Sequence, residues 1–272
     1  MNNCLIEKIE ALPPLPKTIL DIEAFRQKNE KEAFELLQII EKDALIVSTL
    51  LKVSNSAMFG FRSKVETASK AINLLGINFT ISIAIGGTVQ NLLKTNLSIY
   101  GIDNDDFMRA SNLATTLASL WLTKVSFDLK EELLLPSLLQ ETGKFVLADV
   151  IESEKKAEDF KQELASNKTI PEVEKEFTGT TTSKITAQIF RHWKLSDNLT
   201  NVIENVDSLE NCNDEYRKKS EILDVIKTIC DVTDPMSIES IEKGISKARK
   251  YNLDIKSLES AIEKLEDRLL DE

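Results

Sequence analysis

The sequence has little of what metal centres and secreted scaffolds are built from. Its 272 residues include one histidine, three cysteines, 8 glycines and 6 prolines. One histidine is a poor start for a metal centre, which needs several converging ligands. The three cysteines (Cys4, Cys212 and Cys230) are too few and too widely spaced for a disulfide framework or a zinc knuckle. The shortage of glycine and proline, together with abundant Leu, Lys, Glu and Ala, favours an all-α fold.

A long apolar run and an excess of positive charge are also missing. The most apolar stretch, ISIAIGGTV at residues 81–89, is too short to span a bilayer, and the N-terminus lacks the pattern of a signal peptide. The formal net charge is −11, which repels phosphate backbones and anionic membrane surfaces. We therefore expect a cytoplasmic protein that binds neither nucleic acid nor membranes.

Apolar residues recur at helical spacing in the first part of the chain, after the proline-rich segment LPPLP. We expect Asp43 and Thr67 to cap two helices and Gly76 to end the second one in a left-handed conformation. A long helix then contains Gly86 and Gly87. Because glycine is costly inside a helix, their presence predicts close packing against a neighbouring backbone.

The middle of the chain continues the helical pattern. DNDDFM at 103–108 begins like a calcium loop but lacks the turn glycine, so a helix cap is the better interpretation. Residues 131–151 are predicted to form one or two buried helices, whereas the charged segment 153–176 is predicted to be solvated. A helix follows in SKITAQIFRHWK, and Ser196 is predicted to cap the next one.

The end of the chain is more polar. Residues 207–219 are interpreted as a linker or long loop, and residues 220–272 as a helical C-terminal extension. The last helix has an apolar stripe in very polar surroundings, which we expect to be buried on the domain, on a partner or on a second copy of the chain. This stripe consists of Leu258, Ile262, Leu265 and Leu269.

A search for catalytic motifs finds no phosphate-binding loop of the Walker type and no dinucleotide fingerprint. His192 precedes Trp193 in a helical pattern, which favours a structural role, and Cys230 lies where a small core residue is expected. A dyad of His192 and Cys230 is the alternative. Most acidic residues should be solvated. We therefore predict no catalytic residue, no bound metal and no cofactor.

Several segments together resemble the HDOD domain of bacterial signalling proteins. They are LPPLP, IIEKDALIVSTLLKVSNSAMFG, TASKAINLLGIN, LLPSLLQETGKFVL and RHWKLSDNL, and they cover roughly residues 10 to 206. This family is related to the HD metal-dependent phosphohydrolases but generally lacks their ligands. In the related hydrolases a His-Asp pair stands before the Gly-Lys of the motif and grips a metal ion.

The resemblance places four residues of this chain at metal-ligand positions of the hydrolases. Gln140 and Glu141 match the His-Asp pair, Ala110 falls about where the first metal-binding histidine would stand, and Thr182 falls near a later histidine. Only one of the four is anionic. The resemblance therefore implies the scaffold of a hydrolase without its metal chemistry.

The family-motif positions are then expected to be structural or to contact a partner. Asn55 and Ser56 suit a capped turn, Gly143 suits a close helix contact, and Lys144 could reach a helix end or a partner. The full set is Asn55, Ser56, Gly76, Gln140, Glu141, Gly143, Lys144 and Trp193.

These observations predict two packed helical bundles, roughly 1–100 and 101–206, within a domain of residues 1–206. The resemblance implies a non-catalytic regulatory module of bacterial signal transduction that acts through contacts with signalling proteins. One alternative is a divergent metal-dependent phosphohydrolase with Glu141 among its ligands. Another is a sensor that binds a cyclic dinucleotide or other small molecule in the vestigial cleft.

Overall fold

A computed structural model describes residues 3–56, 59, 61, 63–166 and 168–270 of the chain. Within these residues all regular secondary structure is helical and no strand occurs. The all-α prediction is therefore confirmed. The chain divides into two compact units, which do not follow the predicted boundaries at residues 100 and 206. Unit 1 consists of Met1–Leu12 and Leu93–Ser260, and unit 2 consists of Pro13–Leu92 and Ala261–Glu272.

Unit 2 is built mainly from five helices whose ends follow local capping rules. The Asp43 side chain accepts hydrogen bonds from Leu45 N and Ile46 N, and Thr67 Oγ1 accepts one from Lys70 N, as predicted. A Cβ placed on Gly87 would lie 2.6 Å from Thr49 Cγ2, so the packing at this glycine is close, but against a side chain rather than against the predicted backbone. The helices are α2 (Lys17–Arg26), α3 (Ala33–Ile40), α4 (Ala44–Ser54), α5 (Ala68–Leu75) and α6 (Ile77–Leu92).

Gly76 joins α5 to α6 with a φ of 82° and a ψ of 164°. The φ is positive, as expected for a glycine that ends a helix, but the ψ is extended rather than left-handed helical. Only glycine enters this region of backbone space without strain. The glycine is therefore required for the sharp turn between the two helices, which are bent by 120° at this point.

Asn55 and Ser56 close the C-terminal end of α4. The Asn55 side-chain amide donates to the carbonyl oxygens of Leu51 and Val65, each at 2.8 Å, and accepts from Val65 N at 2.8 Å. The Ser56 hydroxyl donates to Val53 O at 2.8 Å. These bonds join the loop to the last turn of the helix. Ala57, Met58 and Gly60 of the same family motif lie outside the described residues.

Unit 1 contains the remaining helices. α7 begins with a capping box in which Asp106 N donates to Asp103 Oδ1 at 2.8 Å, as the helix-cap interpretation predicts. Residues 131–151 form parts of two helices, α8 and α9. The helices are α1 (Asn3–Glu10), α7 (Asn104–Leu122), α8 (Phe127–Leu139), α9 (Gly143–Ser153), α10 (Ala157–Leu164), α11 (Ile170–Thr178), α12 (Thr182–His192), α13 (Asp197–Glu204), α14 (Asp214–Ile229) and α15 (Ile238–Lys250).

The prediction that residues 153–176 are solvated is wrong in part. Phe160, Val173 and Glu174 are completely buried there. Phe160 and Val173 lie on the inner faces of α10 and α11, and the many charges of the segment lie mostly on the outer faces. Glu174 is a charged residue of the segment that is buried rather than solvated, because polar groups of unit 1 neutralise its carboxylate and form hydrogen bonds with it.

The polar run 207–219 holds a 3-10 helix at Leu209–Asn211 and the first turns of α14, and its Asp207 side chain is buried.

The last helix, α16 (Ile255–Leu270), begins in unit 1, and its part from Ala261 onward belongs to unit 2. In its apolar stripe Leu258, Ile262 and Leu265 are buried, as predicted, whereas Leu269 is partly exposed.

No single helix of the described ranges combines the length and the apolar composition needed to cross a membrane. The α5–α6 pair reaches them only when its two bent members are counted together.

Two helices of unit 1 approach each other closely at Gly143. A Cβ placed on it would overlap the carbonyl oxygen of Thr182 and lie 2.9 Å from Thr186 N, both on the backbone of α12. The Gly143 N–H donates to Thr186 Oγ1 at 2.8 Å, and this hydroxyl donates toward Gln140 O at 3.0 Å. The contact therefore fixes the start of α9 against the start of α12.

We predict that Gly143→Ala lowers the free energy of unfolding by about 2–3 kcal/mol, because the new methyl group would force the α12 backbone to move. Urea denaturation measures this loss. Gly87→Ala is the matched control, since its methyl group would meet only the Thr49 side chain, which can rotate. A loss at Gly143 no larger than the loss at Gly87 would contradict the prediction.

Candidate functional site

The Gly-Lys motif lies at the turn between α8 and α9, and its lysine is buried. The Lys144 side chain is 1% exposed, and its Nζ lies 2.9 Å from Glu141 Oε2 and 3.0 Å from Glu174 Oε1. The same nitrogen lies 3.3 Å from Thr182 Oγ1 and 4.7 Å from the centre of the Tyr100 ring. Lys144 therefore binds buried carboxylates and cannot reach a partner surface in this conformation, contrary to one of the expectations for it.

Glu174 is the most enclosed carboxylate of the site, with a fully buried side chain. It accepts hydrogen bonds from Thr182 N at 2.7 Å, from Thr182 Oγ1 at 2.6 Å and from the Tyr100 hydroxyl at 3.1 Å. Burial, followed by the charge of Glu174, raises the pKa of Tyr100 well above its ordinary value, so the phenol stays a donor. Thr182, matched to a histidine position of the hydrolases, is occupied in holding Glu174.

A second lysine enters the site from α14. Lys227 Nζ lies 2.7 Å from Asp207 Oδ1, to which it donates, and 2.9 Å from Glu141 Oε1. The contact with Glu141 is an ion pair without hydrogen-bond geometry, because that oxygen has no hydrogen-bond partner among the described residues. Asp207 also accepts from Ser183 N at 3.1 Å.

These five side chains form one buried charge cluster. Its members are Glu141, Lys144, Glu174, Asp207 and Lys227, three carboxylates and two ammonium groups with a formal net charge of −1. They come from the α8–α9 turn and from α9, α11, the segment after α13, and α14. The cluster therefore links four parts of unit 1 that are distant in sequence, since Glu141 and Lys144 are only three residues apart.

The charges of the cluster stabilise one another against the cost of burial. Burial alone raises the pKa of Glu141 and Asp207, but the nearby ammonium groups outweigh this effect and lower both, Asp207 far below its ordinary value. Burial alone lowers the pKa of Lys144 and Lys227, but the carboxylates outweigh it and raise both. Each carboxylate of these pairs thus stays ionised because of a lysine beside it, and each lysine stays protonated because of a carboxylate beside it.

The positions matched to the metal ligands do not form a set of donors that suits a metal ion. Ala110 has no donor, Gln140 is a weak ligand, Thr182 is bonded to Glu174, and both oxygens of Glu141 face lysine ammonium groups. No group of three or more His, Cys, Asp or Glu in the described part of the chain is arranged to hold a metal ion. The residues present therefore do not fit the metal of the related hydrolases.

Three residues of this site were missed in the sequence. Glu174 and Asp207 lie in highly polar segments that were predicted to be solvated or looped, so nothing local marked them. Lys227 carried a weak signal, because VIKTIC places one charge between apolar neighbours on both sides. Such a lysine suggests a buried partner.

The other predicted residues lie outside the charge cluster. Trp193 is buried and follows the last residue of α12, while His192 is exposed. Cys230 is buried at the end of α14, and burial raises the pKa of its thiol well above the ordinary value. An exposed imidazole and a buried, protonated thiol favour the core role expected for Cys230 over the alternative dyad.

The pKa shifts predict that the contribution of the charge cluster to the free energy of unfolding is greatest and constant near neutral pH. Because the pKa values of Glu141 and Asp207 are lowered on folding, their stabilisation is full above the unfolded pKa of about 4 and is lost as the pH falls below it. Because the pKa values of Lys144 and Lys227 are raised, their stabilisation is full below about pH 10 and is lost as the pH rises through the folded values.

We compare the wild type with the double variant Asp207→Asn/Lys227→Met as the pH is lowered from about 6 to about 3. Over this range the free energy of unfolding should fall by about 2 kcal/mol more in the wild type than in the variant. The double variant lacks the Asp207–Lys227 pair and serves as the control for surface carboxylates. Urea denaturation across this range measures the difference. Identical acid dependence in the two proteins would show that the pair does not contribute.

Comparison with solved structures identifies similar folds. A proposed phosphohydrolase from Shewanella amazonensis is 19% identical, with 98% of this chain and 96% of that chain covered and a TM-score of 0.75. A proposed signal transduction protein from Marinobacter aquaeolei is 18% identical, with 99% of this chain and 63% of that chain covered and a TM-score of 0.73. At these identities the likeness concerns the fold.

Comparison of sequences gives the family. An uncharacterised protein of Treponema pallidum is 26% identical over 91 residues, which are 32% of this chain and 18% of that protein, so the match spans less than a fifth of the relative's length. The family model of the HDOD domain matches residues 12–209. This range agrees with the segments that carry the resemblance, and the chain therefore belongs to the HDOD domain family.

Proposed function

We propose that this chain is a non-catalytic regulatory module of bacterial signal transduction that acts through contacts with other proteins. One observation supports the absence of catalysis most directly. Glu141 is the only anionic residue at the positions matched to the metal ligands, and each of its carboxylate oxygens lies 2.9 Å from a lysine ammonium group.

The chemistry of the buried charge cluster argues in the same direction. Metal-assisted hydrolysis needs an ion held by several donors with an open position for water. Here Glu174 is saturated by Tyr100, Thr182 and Lys144. A general base must reach a substrate, yet Lys144 is almost fully enclosed and stays protonated. The cluster therefore suits a structural role.

A role in signalling rests on family membership and on the fold. The resemblance to the HDOD family implies such a role, and the related fold from Marinobacter aquaeolei is named as a proposed signal transduction protein. A module without catalysis transmits a signal by binding. Both units expose large apolar side chains that suit protein contacts: Phe127 and Ile238 on unit 1 and Phe34 on unit 2 are each more than two-thirds exposed.

We predict that neither the wild type nor Gln140→His/Glu141→Asp holds stoichiometric divalent metal or hydrolyses phosphodiesters or nucleotides. The restored pair would still lack the other ligands, and Lys144 and Lys227 would still face its carboxylate. Elemental analysis and a broad phosphatase screen test both proteins. Tightly bound metal with turnover that disappears in Glu141→Ala would support the divergent phosphohydrolase instead.

A second prediction concerns the protein contacts. Replacing an exposed apolar side chain by Asp, as in Phe34→Asp, Phe127→Asp and Ile238→Asp, should change the free energy of unfolding by no more than about 0.5 kcal/mol. At least one of these variants should lose a partner that the wild type captures from a lysate of its native cell, detected by quantitative mass spectrometry. Unchanged capture by all three variants would exclude these side chains as contact residues.

A further inference from the structure

Lys227 comes from a helix that lies beyond the family-matched residues 12–209. Its nitrogen nevertheless contacts Asp207, near the end of that range, and Glu141, which matches a metal ligand of the related hydrolases. A residue outside the family-matched range thus pairs with Glu141 and Asp207, two carboxylates that lie within that range. The Lys227 side chain is 15% exposed and Glu141 is 10% exposed, whereas Lys144 is 1% exposed. The Lys227 and Glu141 side chains are thus less enclosed than Lys144, although the Glu141 Oε1 atom itself is buried.

The charge balance shows what Lys227 contributes. With both lysines present, the buried charge cluster has three carboxylates and two ammonium groups, a formal charge of −1. Without Lys227 the formal charge would be −2, and carboxylate oxygens of Glu141 and Asp207 would both face the place its nitrogen had occupied. Carboxylate oxygens around such a place are the ligands that hard divalent cations prefer.

The fit between the ammonium group and the cluster is incomplete. Lys227 Nζ hydrogen-bonds to Asp207 but only pairs electrostatically with Glu141 Oε1, which has no hydrogen-bond partner in the described part of the chain. A buried carboxylate oxygen without a hydrogen bond is costly. This oxygen lies 2.9 Å from the nitrogen but accepts no hydrogen bond from it.

We propose that Lys227 is a built-in cation that takes the place of a divalent metal ion beside Glu141 and Asp207, and that it thereby excludes such ions from the site. The neighbouring helices hold this cation in position. α14 packs against α7, α8, α13 and α15. This inference goes beyond the proposed function and does not depend on which protein the module contacts.

The α14–α15 contact fixes the register of Lys227. A Cβ placed on Gly244 of α15 would overlap the Ile229 side chain, so the two helices approach closely just beyond Lys227. Asp224, three residues before Lys227, pairs with Lys247 Nζ at 2.7 Å and accepts from the Tyr251 hydroxyl at 2.7 Å. Contacts on both sides of Lys227 thus prevent α14 from sliding.

The test is thermal unfolding, followed by circular dichroism, of the full chain carrying Lys227→Met. Methionine keeps the length of the side chain and removes its charge. In EDTA the melting temperature should fall by roughly 10 °C, because Asp207 loses the ammonium group that it pairs with and Glu141 loses one of its two. Millimolar MnCl₂ or MgCl₂ should restore about half of this loss, because the ion binds the folded state in place of the ammonium group. The wild type should shift by less than about 1 °C on the same additions.

Lys219→Met is the matched control, because Lys219 lies on the same helix and pairs with Glu132 closer to the surface. It should respond to the cations as the wild type does. Asp207→Asn/Lys227→Met removes one carboxylate together with the lysine and should fold without a response to the cations. If Lys227→Met is unfolded in EDTA, its refolding from urea with MnCl₂ replaces the melting experiment.

Two results would overturn the inference. One is stabilisation of the wild type or of Lys219→Met by MnCl₂ as large as that of Lys227→Met. The other is a Lys227→Met protein whose melting temperature, or whose refolding, is unaffected by both cations.

Discussion

A lysine ammonium group held away from water is the constraint on which unit 1 depends. Lys144 is 1% exposed, and a charge in such a place persists only with carboxylates beside it. Glu141 and Glu174 supply them from two different elements. Gly143 then permits α9 to approach α12 closely, and Lys144 Nζ lies 3.3 Å from the hydroxyl of Thr182, which itself holds Glu174 by its backbone and its hydroxyl. The geometry of the Gly-Lys motif therefore follows from the need to neutralise one buried charge.

The same constraint accounts for the positive charge beside Glu141, which stands at a position matched to a metal ligand of the related hydrolases. In the related hydrolases, the residues matched here by Gln140 and Glu141 grip a cation. In this chain Glu141 still faces positive charge, supplied by Lys144 and Lys227. An ammonium group neutralises a carboxylate but offers no open coordination position and does not activate water. The lysines therefore meet the electrostatic requirement of Glu141 without supplying what metal-assisted hydrolysis needs, in line with the proposed function.

The sequence predicted features that depend on near neighbours and missed those that depend on distant ones. The caps Asp43, Thr67 and Ser196 are present because an N-cap bonds to a backbone N–H two or three residues away. Glu174 was assigned to a solvated segment and Asp207 to a linker or long loop because their partners lie far along the chain: Lys144 is 30 residues from Glu174, and Lys227 is 20 residues from Asp207. Hydrophobic periodicity carries no information about such pairs.

The free-energy cost of an unpaired buried charge explains why α14 packs on unit 1. Replacing a whole buried pair by apolar groups is often nearly neutral, whereas removing one partner is costly, because the other is left as an uncompensated charge. Glu141 and Asp207 lie within the family-matched region, and α14 brings their partner Lys227 from outside it. Detaching α14 would leave Asp207 without the ammonium group that it pairs with and would leave Glu141 with Lys144 alone. The charge cluster therefore makes α14 a structural part of unit 1 rather than an appended extension.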